Sequence, residues 1–405
     1  MKSIVILGDG MADRPVPELG NRTPLETAEK PHMDRLAQHG TVGLVKTIPD
    51  GMPLGSDTAN LSVMGYNPRI YYSGRSPLEA VSMGIPLEDD DVTFRCNLVT
   101  LSDEADYTHT TMVDYSSDEI TTEESTQLIH ALDDAFRQEN LRLYPGISYR
   151  HCLVLKHAKT GTTCTPPHDI SLKPISGHLP SGEYGQLLYD LQCRSREILR
   201  GHPVNRARIA RGLHPATSCW FWGEGTRPRL ELFEKKFGVK GGVISAVDLI
   251  KGIGICAGLK SVDVPGATGN VNTNFAGKAD AALELLRNGC DFVYVHMEAP
   301  DECGHRGEVQ NKVTAIERID RDVIGRMLQG LEGEEFSMLV MPDHPTPLSV
   351  RTHTGDPVPF VLYRSTEEGK TPAPRYTEAE AEKTGLFVPE GCQMMNRLFQ
   401  QEAQA

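Results

Sequence analysis

Ser3-Ile4-Val5-Ile6-Leu7-Gly8-Asp9-Gly10 is an apolar run cut off by a glycine-aspartate-glycine triplet. An unbroken apolar stretch this short fits a strand buried on both faces, as in a parallel sheet. The triplet then reads as a ligand loop at the strand's carboxyl end, the edge where an open α/β sheet presents its functional side chains. The pattern recurs downstream. Residues 291–296 read as a strand that delivers Glu298 and Asp301 into a loop, and residues 336–341 as one that delivers Asp343-His344. Further strands are expected at 43–48, 219–222, 243–247 and 359–363. Helices are expected at 23–26, where Pro24 follows a capping Thr23, at 31–40, at 281–289 with a terminal glycine, and at 313–331. Strands alternating with helices define the fold class as a doubly wound α/β core.

Between these core segments the texture changes. Glu88-Asp89-Asp90-Asp91 is a charged break. After it come an expected strand at 94–101, a helix at 122–140, a strand at 148–157, a loop rich in Pro, His and Gly at 162–182, and a helix at 187–199. The chain of 405 residues is thus expected to hold a core of residues 1–86 and 214–405, with a smaller α+β unit inserted at 87–213. From about Gly391 the chain reads as a short helix and a frayed tail.

The formal charge is -14, which argues against nucleic acid as a partner. The apolar run at the N-terminus is too short for a signal peptide, and no stretch is long enough to span a membrane. Nine cysteines, none in a CxxC pair, fit buried thiols in a reducing cytoplasm. The expected partner is a small molecule.

The chemistry sits in five segments: Asp9; Ser56 in Gly55-Ser56-Asp57-Thr58; Asp301 and His305; Asp343-His344; and His353. Three carboxylates, three imidazoles and a hydroxyl are enough for two divalent cations and one activated nucleophile. Asp301 and His305 are four residues apart, so one helical turn lets both face one ion. Mixed Asp and His ligands suit Mn²⁺ or Zn²⁺ better than Mg²⁺ alone. Ser56 follows a glycine and precedes an expected helix at 57–64, whose first amides favour a phosphate; its plainest reading is a helix-capping serine.

With these segments, Tyr72-Ser73-Gly74-Arg75, Phe94-Arg95-Cys96-Asn97, Tyr144–Arg150, His202-Pro203-Val204-Asn205 and Pro265–Gly269 complete a set. The chain resembles the cofactor-independent phosphoglycerate mutases in their shorter archaeal-type form, within the alkaline phosphatase superfamily. The resemblance implies a three-layer alkaline-phosphatase-like core with an inserted cap. It implies that Asp9, Ser56, Asp343 and His344 hold one metal, that Asp301, His305 and His353 hold the second, and that Ser56 is transiently phosphorylated. Arg75, Arg95, Arg150 and Lys278 are the implied contacts to substrate phosphate and carboxylate, with Lys278 nearest the metals. The implied reaction is ping-pong: Ser56 takes the phosphoryl group of 3-phosphoglycerate and returns it to the other hydroxyl of the retained glycerate, with the cap excluding water. One segment departs from the family pattern. Met112–Glu119 carries acids and no arginine, and in this it resembles a mutase-like subgroup proposed to be homoserine kinases. The alternative reading is therefore a phosphotransferase from ATP to homoserine at the same site.

Overall fold

The computed structural model of the chain describes residues 1–401; the end of the expected frayed tail, 402–405, lies outside the described residues. The chain divides into two compact units, Met1–Tyr72 with Leu230 onward, and Ser73–Arg229. The first unit opens with strands β1 (Lys2–Gly8) and β2 (Thr41–Val45). The second unit contributes β3 (Val92–Leu101), β4 (Met112–Asp114), β5 (Leu141–Tyr144), β6 (Arg150–Leu155), β7 (Thr162–Thr163), β8 (Ser181–Gly182) and β9 (Ser218–Thr226). The first unit resumes with β10 (Gly241–Ile244), β11 (Lys260–Val262), β12 (Phe292–Met297), β13 (Phe336–Met341), β14 (Val358–Arg364) and β15 (Phe387–Val388).

The sheet of the first unit has the order β11-β10-β12-β1-β13-β14-β2-β15. Only β14 runs against its neighbours. The opening apolar run is its centre, paired in parallel with β12 on one side and β13 on the other. On one face Ile4, Ile6, Val293, Val295, Met338 and Val340 pack against Phe275, Ala279, Ile316 and Val323 of the helices Phe275–Arg287 and Val309–Arg318 and the turn that continues it. On the other face lie the helices Ser56–Val63 and Asp248–Cys256. The two layers of helix around a mostly parallel sheet are the doubly wound α/β arrangement expected. The long helix expected at 313–331 is interrupted by a π-helical stretch, Ile319–Ile324. Buried Asp320 there accepts the Met33 amide at 2.6 Å and the His32 amide at 3.2 Å, the open donors of helix Pro31–His39.

The second unit is an antiparallel sheet, β4-β3-β6-β5 with β9 paired to β3. Phe94, Cys96, Leu98, Leu153 and Phe221 pack under helices Thr122–Phe136 and Gly185–Arg200 through Leu128, Leu132, Leu188 and Leu191. The expected helix at 122–140 stops early because Asp133 takes the Arg137 guanidinium and the Leu143 amide, turning the chain into β5.

The insertion is wider than the 87–213 expected from composition. Ser73 Oγ donates to Thr226 O at 2.6 Å and the Thr226 amide donates to Ser73 O at 3.0 Å, so the two crossings of the chain pair with each other. Helix Ser76–Ser82 is tied to β3 by Ser76 Oγ on Thr93 O at 2.9 Å. Both segments have core-like composition and pack in the second unit. All nine cysteines are free thiols, and among the described residues no helix is long and apolar enough to cross a membrane.

Candidate active site

Four strands of the first unit end at the same edge of the sheet. β1 delivers Asp9, β10 delivers Ser245, β12 leads into helix Ala299–Arg306 with Asp301 and His305, and β13 delivers Asp343 and His344. Gly10 has φ 60°, and a Cβ there would lie 2.7 Å from the Asp301 backbone. No other residue fits without displacing Asp301. Its amide donates to Asp343 Oδ1 at 3.2 Å.

The seven predicted residues converge. Ligand-type atoms of Asp9, Asp343 and His344 lie within 4.8 Å of one another, and so do those of Asp301, His344 and His353. His305 joins the second group: its Nε2 is 3.0 Å from His353 Nε2 and 3.2 Å from Asp301 Oδ2. The atoms fall into two overlapping groups, with His344 in both.

Backbone and hydroxyl partners fix the imidazoles. His305 Nδ1 is 3.0 Å from Arg351 O, and His353 Nδ1 is 3.1 Å from Leu54 O. A carbonyl only accepts, so both Nδ1 atoms carry hydrogen and both Nε2 atoms point inward, where loss of a proton leaves the lone pair a metal requires. His344 Nδ1 meets Thr346 Oγ1 at 3.3 Å, and that hydroxyl donates to Asp301 Oδ1. Asp343 is pinned by the His344 amide at 2.9 Å and by Asn60 Nδ2 at 2.8 Å, and Asn60 Oδ1 accepts the Tyr294 hydroxyl at 2.6 Å.

Ser56 is the first residue of its helix, and its hydroxyl makes no capping bond. Gly55 occupies the cap position, so the capping reading expected for Ser56 is not met. Ser56 Oγ instead lies 3.1 Å from His344 Nε2.

The electrostatics call for a cation. Burial, then the charges of Asp343 and Asp301, hold the Asp9 carboxyl well above its ordinary value. Burial also pushes Asp301 up, but the hydrogen bonds of His305 and His353 outweigh it and hold it well below the usual range. The bond to Asp301 in turn raises His305 to about 9. His353 is raised as well, its bond to Asp301 overcoming burial. Asp9 Oδ1 is buried with no hydrogen-bond partner. Three buried carboxylates, one with an orphaned oxygen, facing three inward imidazole Nε2 atoms fit divalent cations.

The predicted cationic contacts divide between the units, Lys278 in the first and Arg75, Arg95 and Arg150 in the second. Lys278 is fully buried, donates to His296 O at 3.0 Å, and is pushed down to about 8 by burial. Arg95 and Arg75 of the second unit grip opposite oxygens of Glu79, each at 2.9 Å. Arg95 also lies over the Trp222 ring at 4.2 Å, and Arg150 over Tyr149 at 5.7 Å. The acidic segment Met112–Glu119 is engaged in local structure. Ser117, Asp118 and Glu119 all have φ near 50° (51°, 56° and 49°), an arrangement held by Asp114 accepting from the Ser116 amide at 2.8 Å and the Asp118 amide at 2.5 Å. Asp118 accepts from the His214 amide at 2.6 Å.

Sequence reasoning missed Asn60, Ser245, Tyr294, His296 and Thr346. The signal for two of them was present: Tyr294 and His296 interrupt an otherwise apolar strand with period two.

The fold and the edge site together define an α/β protein with an acid-imidazole centre and an inserted antiparallel unit. Residues 37–205 match the family model described as 2,3-bisphosphoglycerate-independent phosphoglycerate mutase. A mutase of that name from Methanothrix thermoacetophila is 52% identical over 364 residues, covering 89% of this chain and 90% of the relative. A probable one from Geobacter sulfurreducens is 48% identical, covering 98% of this chain and all of the relative (100%). Among solved structures, a protein from Pyrococcus horikoshii is 32% identical with a TM-score of 0.83, covering 100% of this chain and 98% of that one. The cofactor-independent phosphoglycerate mutase of Thermoplasma acidophilum is 26% identical with a TM-score of 0.67, covering 99% of both chains. The chain belongs to the 2,3-bisphosphoglycerate-independent phosphoglycerate mutase family.

Proposed function

We propose that this chain interconverts 3-phosphoglycerate and 2-phosphoglycerate through a phosphoserine at Ser56. The observation that carries the proposal is the Ser56 hydroxyl, 3.1 Å from His344 Nε2, at the amino end of a helix and beside two overlapping acid-imidazole clusters. Asp9, Ser56, Asp343 and His344 would hold one divalent cation, and Asp301, His305 and His353 a second. Mn²⁺ is the choice of the donor set, with Zn²⁺ and Mg²⁺ as alternatives. Bound there, such ions neutralise the carboxylates and lower the pKa of the serine hydroxyl.

The chain's own groups do the rest. Ser56 Oγ forms a bond to phosphorus as the bond from phosphorus to the C3 oxygen of substrate breaks, and that oxygen takes up a proton. The first amides of helix Ser56–Val63 face the phosphoryl oxygens. The C2 hydroxyl then loses its proton and takes the phosphoryl group, freeing Ser56. Arg75, Arg95 and Arg150 are the proposed contacts to the substrate's anionic groups. Lys278 is the proposed phosphate contact from the first unit, exchanging its bond to the His296 carbonyl. With Asp114 and Asp118 engaged in local structure, the homoserine kinase alternative loses the feature that motivated it.

The test is phosphorus NMR on the Mn²⁺-loaded protein, with 3-phosphoglycerate in one sample and ATP plus homoserine in another. Formation of 2-phosphoglycerate is expected. Phosphohomoserine as the sole product would overturn the mutase reading.

A further inference from the structure

Ser245, His296 and Asp9 form a row across three neighbouring parallel strand ends, β10, β12 and β1. Ile244 pairs with Val295 and Leu7 with His296, so the alignment of the row is set by the sheet ladder and not by loops. His296 is fully buried and both of its ring nitrogens are engaged. Nε2 lies 2.9 Å from Asp9 Oδ2, and Nδ1 lies 3.1 Å from Ser245 Oγ. With a cation bound beside it Asp9 is ionised and only accepts, so Nε2 carries the hydrogen. Nδ1 is then an acceptor, and the Ser245 hydroxyl, which accepts the Val247 amide at 2.9 Å, donates to it.

The effect falls on the other oxygen of Asp9. His296 occupies Oδ2, whereas Oδ1 is buried without a hydrogen bond and lies 3.5 Å from His344 Nε2. We propose that Ser245 and His296 are positioning residues that make Asp9 a one-oxygen ligand, holding Oδ2 so that Oδ1 alone faces the cation of the Asp9, Asp343 and His344 cluster. Partners of this kind orient a ligand and raise its affinity for metal. The inference rests on the reading that this cluster holds a divalent cation.

Calorimetric titration of metal-free protein with Mn²⁺, with free Mn²⁺ counted by EPR, tests it on S245A, H296A, H296Q and D9A. His296→Ala is expected to weaken one of the two Mn²⁺ sites by about 10–100-fold, and Ser245→Ala by about 10-fold, with the other site unchanged. His296→Gln keeps a side-chain N–H for Oδ2 and is expected to restore most of the affinity. Excess Mn²⁺ should return turnover to Ser245→Ala, and thermal unfolding without metal should match wild type for that variant. If His296→Ala does not fold, Ser245→Ala and His296→Gln decide. Wild-type Mn²⁺ affinity in Ser245→Ala and His296→Ala, with Asp9→Ala weakened, would remove the positioning role and leave the metal reading intact. Wild-type affinity in Asp9→Ala would overturn the metal reading itself.

Discussion

At the edge of the eight-stranded sheet, Asp9, Asp301 and Asp343 lie buried with, among the described residues, no lysine or arginine bonded to any of them, and histidines are their ionic neighbours. In the inserted unit the balance is reversed: half-buried Glu79 sits between two guanidiniums, with Arg150 also acting on it. Burial pushes the Glu79 carboxyl up, and Arg95 and Arg75 outweigh it and hold it below its usual range. The first region is short of positive charge and the second has more than its one carboxylate neutralises. A charge left over inside a protein selects its ligand by sign. The edge of the sheet suits divalent cations, and the arginine cluster suits an anionic metabolite.

The most severe way to break this contrast is at the reacting atom. Ser56→Ala should lower turnover of 3-phosphoglycerate by at least about 10⁴-fold and abolish phosphoprotein detectable by mass spectrometry, without changing the fold. Residual turnover near wild type would remove the covalent step. Arg95→Met should cost about 1–3 kcal/mol of stability in denaturant titration, because half-buried Glu79 loses its buried partner. It should also raise KM while Mn²⁺ affinity stays put; a fall in Mn²⁺ affinity would mean that the two regions are not separable. Asn60→Ala leaves Asp343 Oδ2 and the Tyr294 hydroxyl without their partner, and should weaken Mn²⁺ binding about 10–100-fold with KM unchanged.

The pH dependence separates the regions further. A cation needs the His305 lone pair, yet Asp301 raises that imidazole to about 9 in the metal-free protein. Mn²⁺ binding must therefore release protons, and affinity should rise about tenfold per pH unit and flatten above pH 9. Isothermal titration in buffers of different ionisation enthalpy counts the protons; no release would show the imidazoles are not ligands. The smallest effect belongs to Arg75, whose side chain is 39% exposed. Arg75→Ala should change stability by less than about 1 kcal/mol. A several-fold rise in KM would mark it as a substrate contact, and an unchanged KM would leave it a surface ion pair.

The two regions also differ in how far they can be read from the chain. The apolar runs at β1, β12 and β13 are each followed within a few residues by a candidate acid, Asp9, Asp301 or Asp343, so strand, edge and candidate can be read together. The second unit's limits cannot be read this way. Helix Ser76–Ser82 has core-like composition, and only its packing on β3 and β9 assigns it to the insertion. The acids at Asp114–Glu119 look like a recognition surface in one dimension, yet the Asp114 carboxylate closes a left-handed turn and Asp118 binds His214.

Local pattern thus determined the class of the fold and the site's edge of the sheet, and singled out Asp9, Ser56, Asp301, His305, Asp343, His344 and His353 as candidates, because residue type and nearness to an expected strand or helix end are local properties. Tertiary structure alone decided which lone pair each imidazole turns inward, that Ser56 bonds to His344 and does not cap its helix, and that Ser245 and His296 line up behind Asp9. Those are relations between strands far apart in the chain, fixed by the register of the sheet.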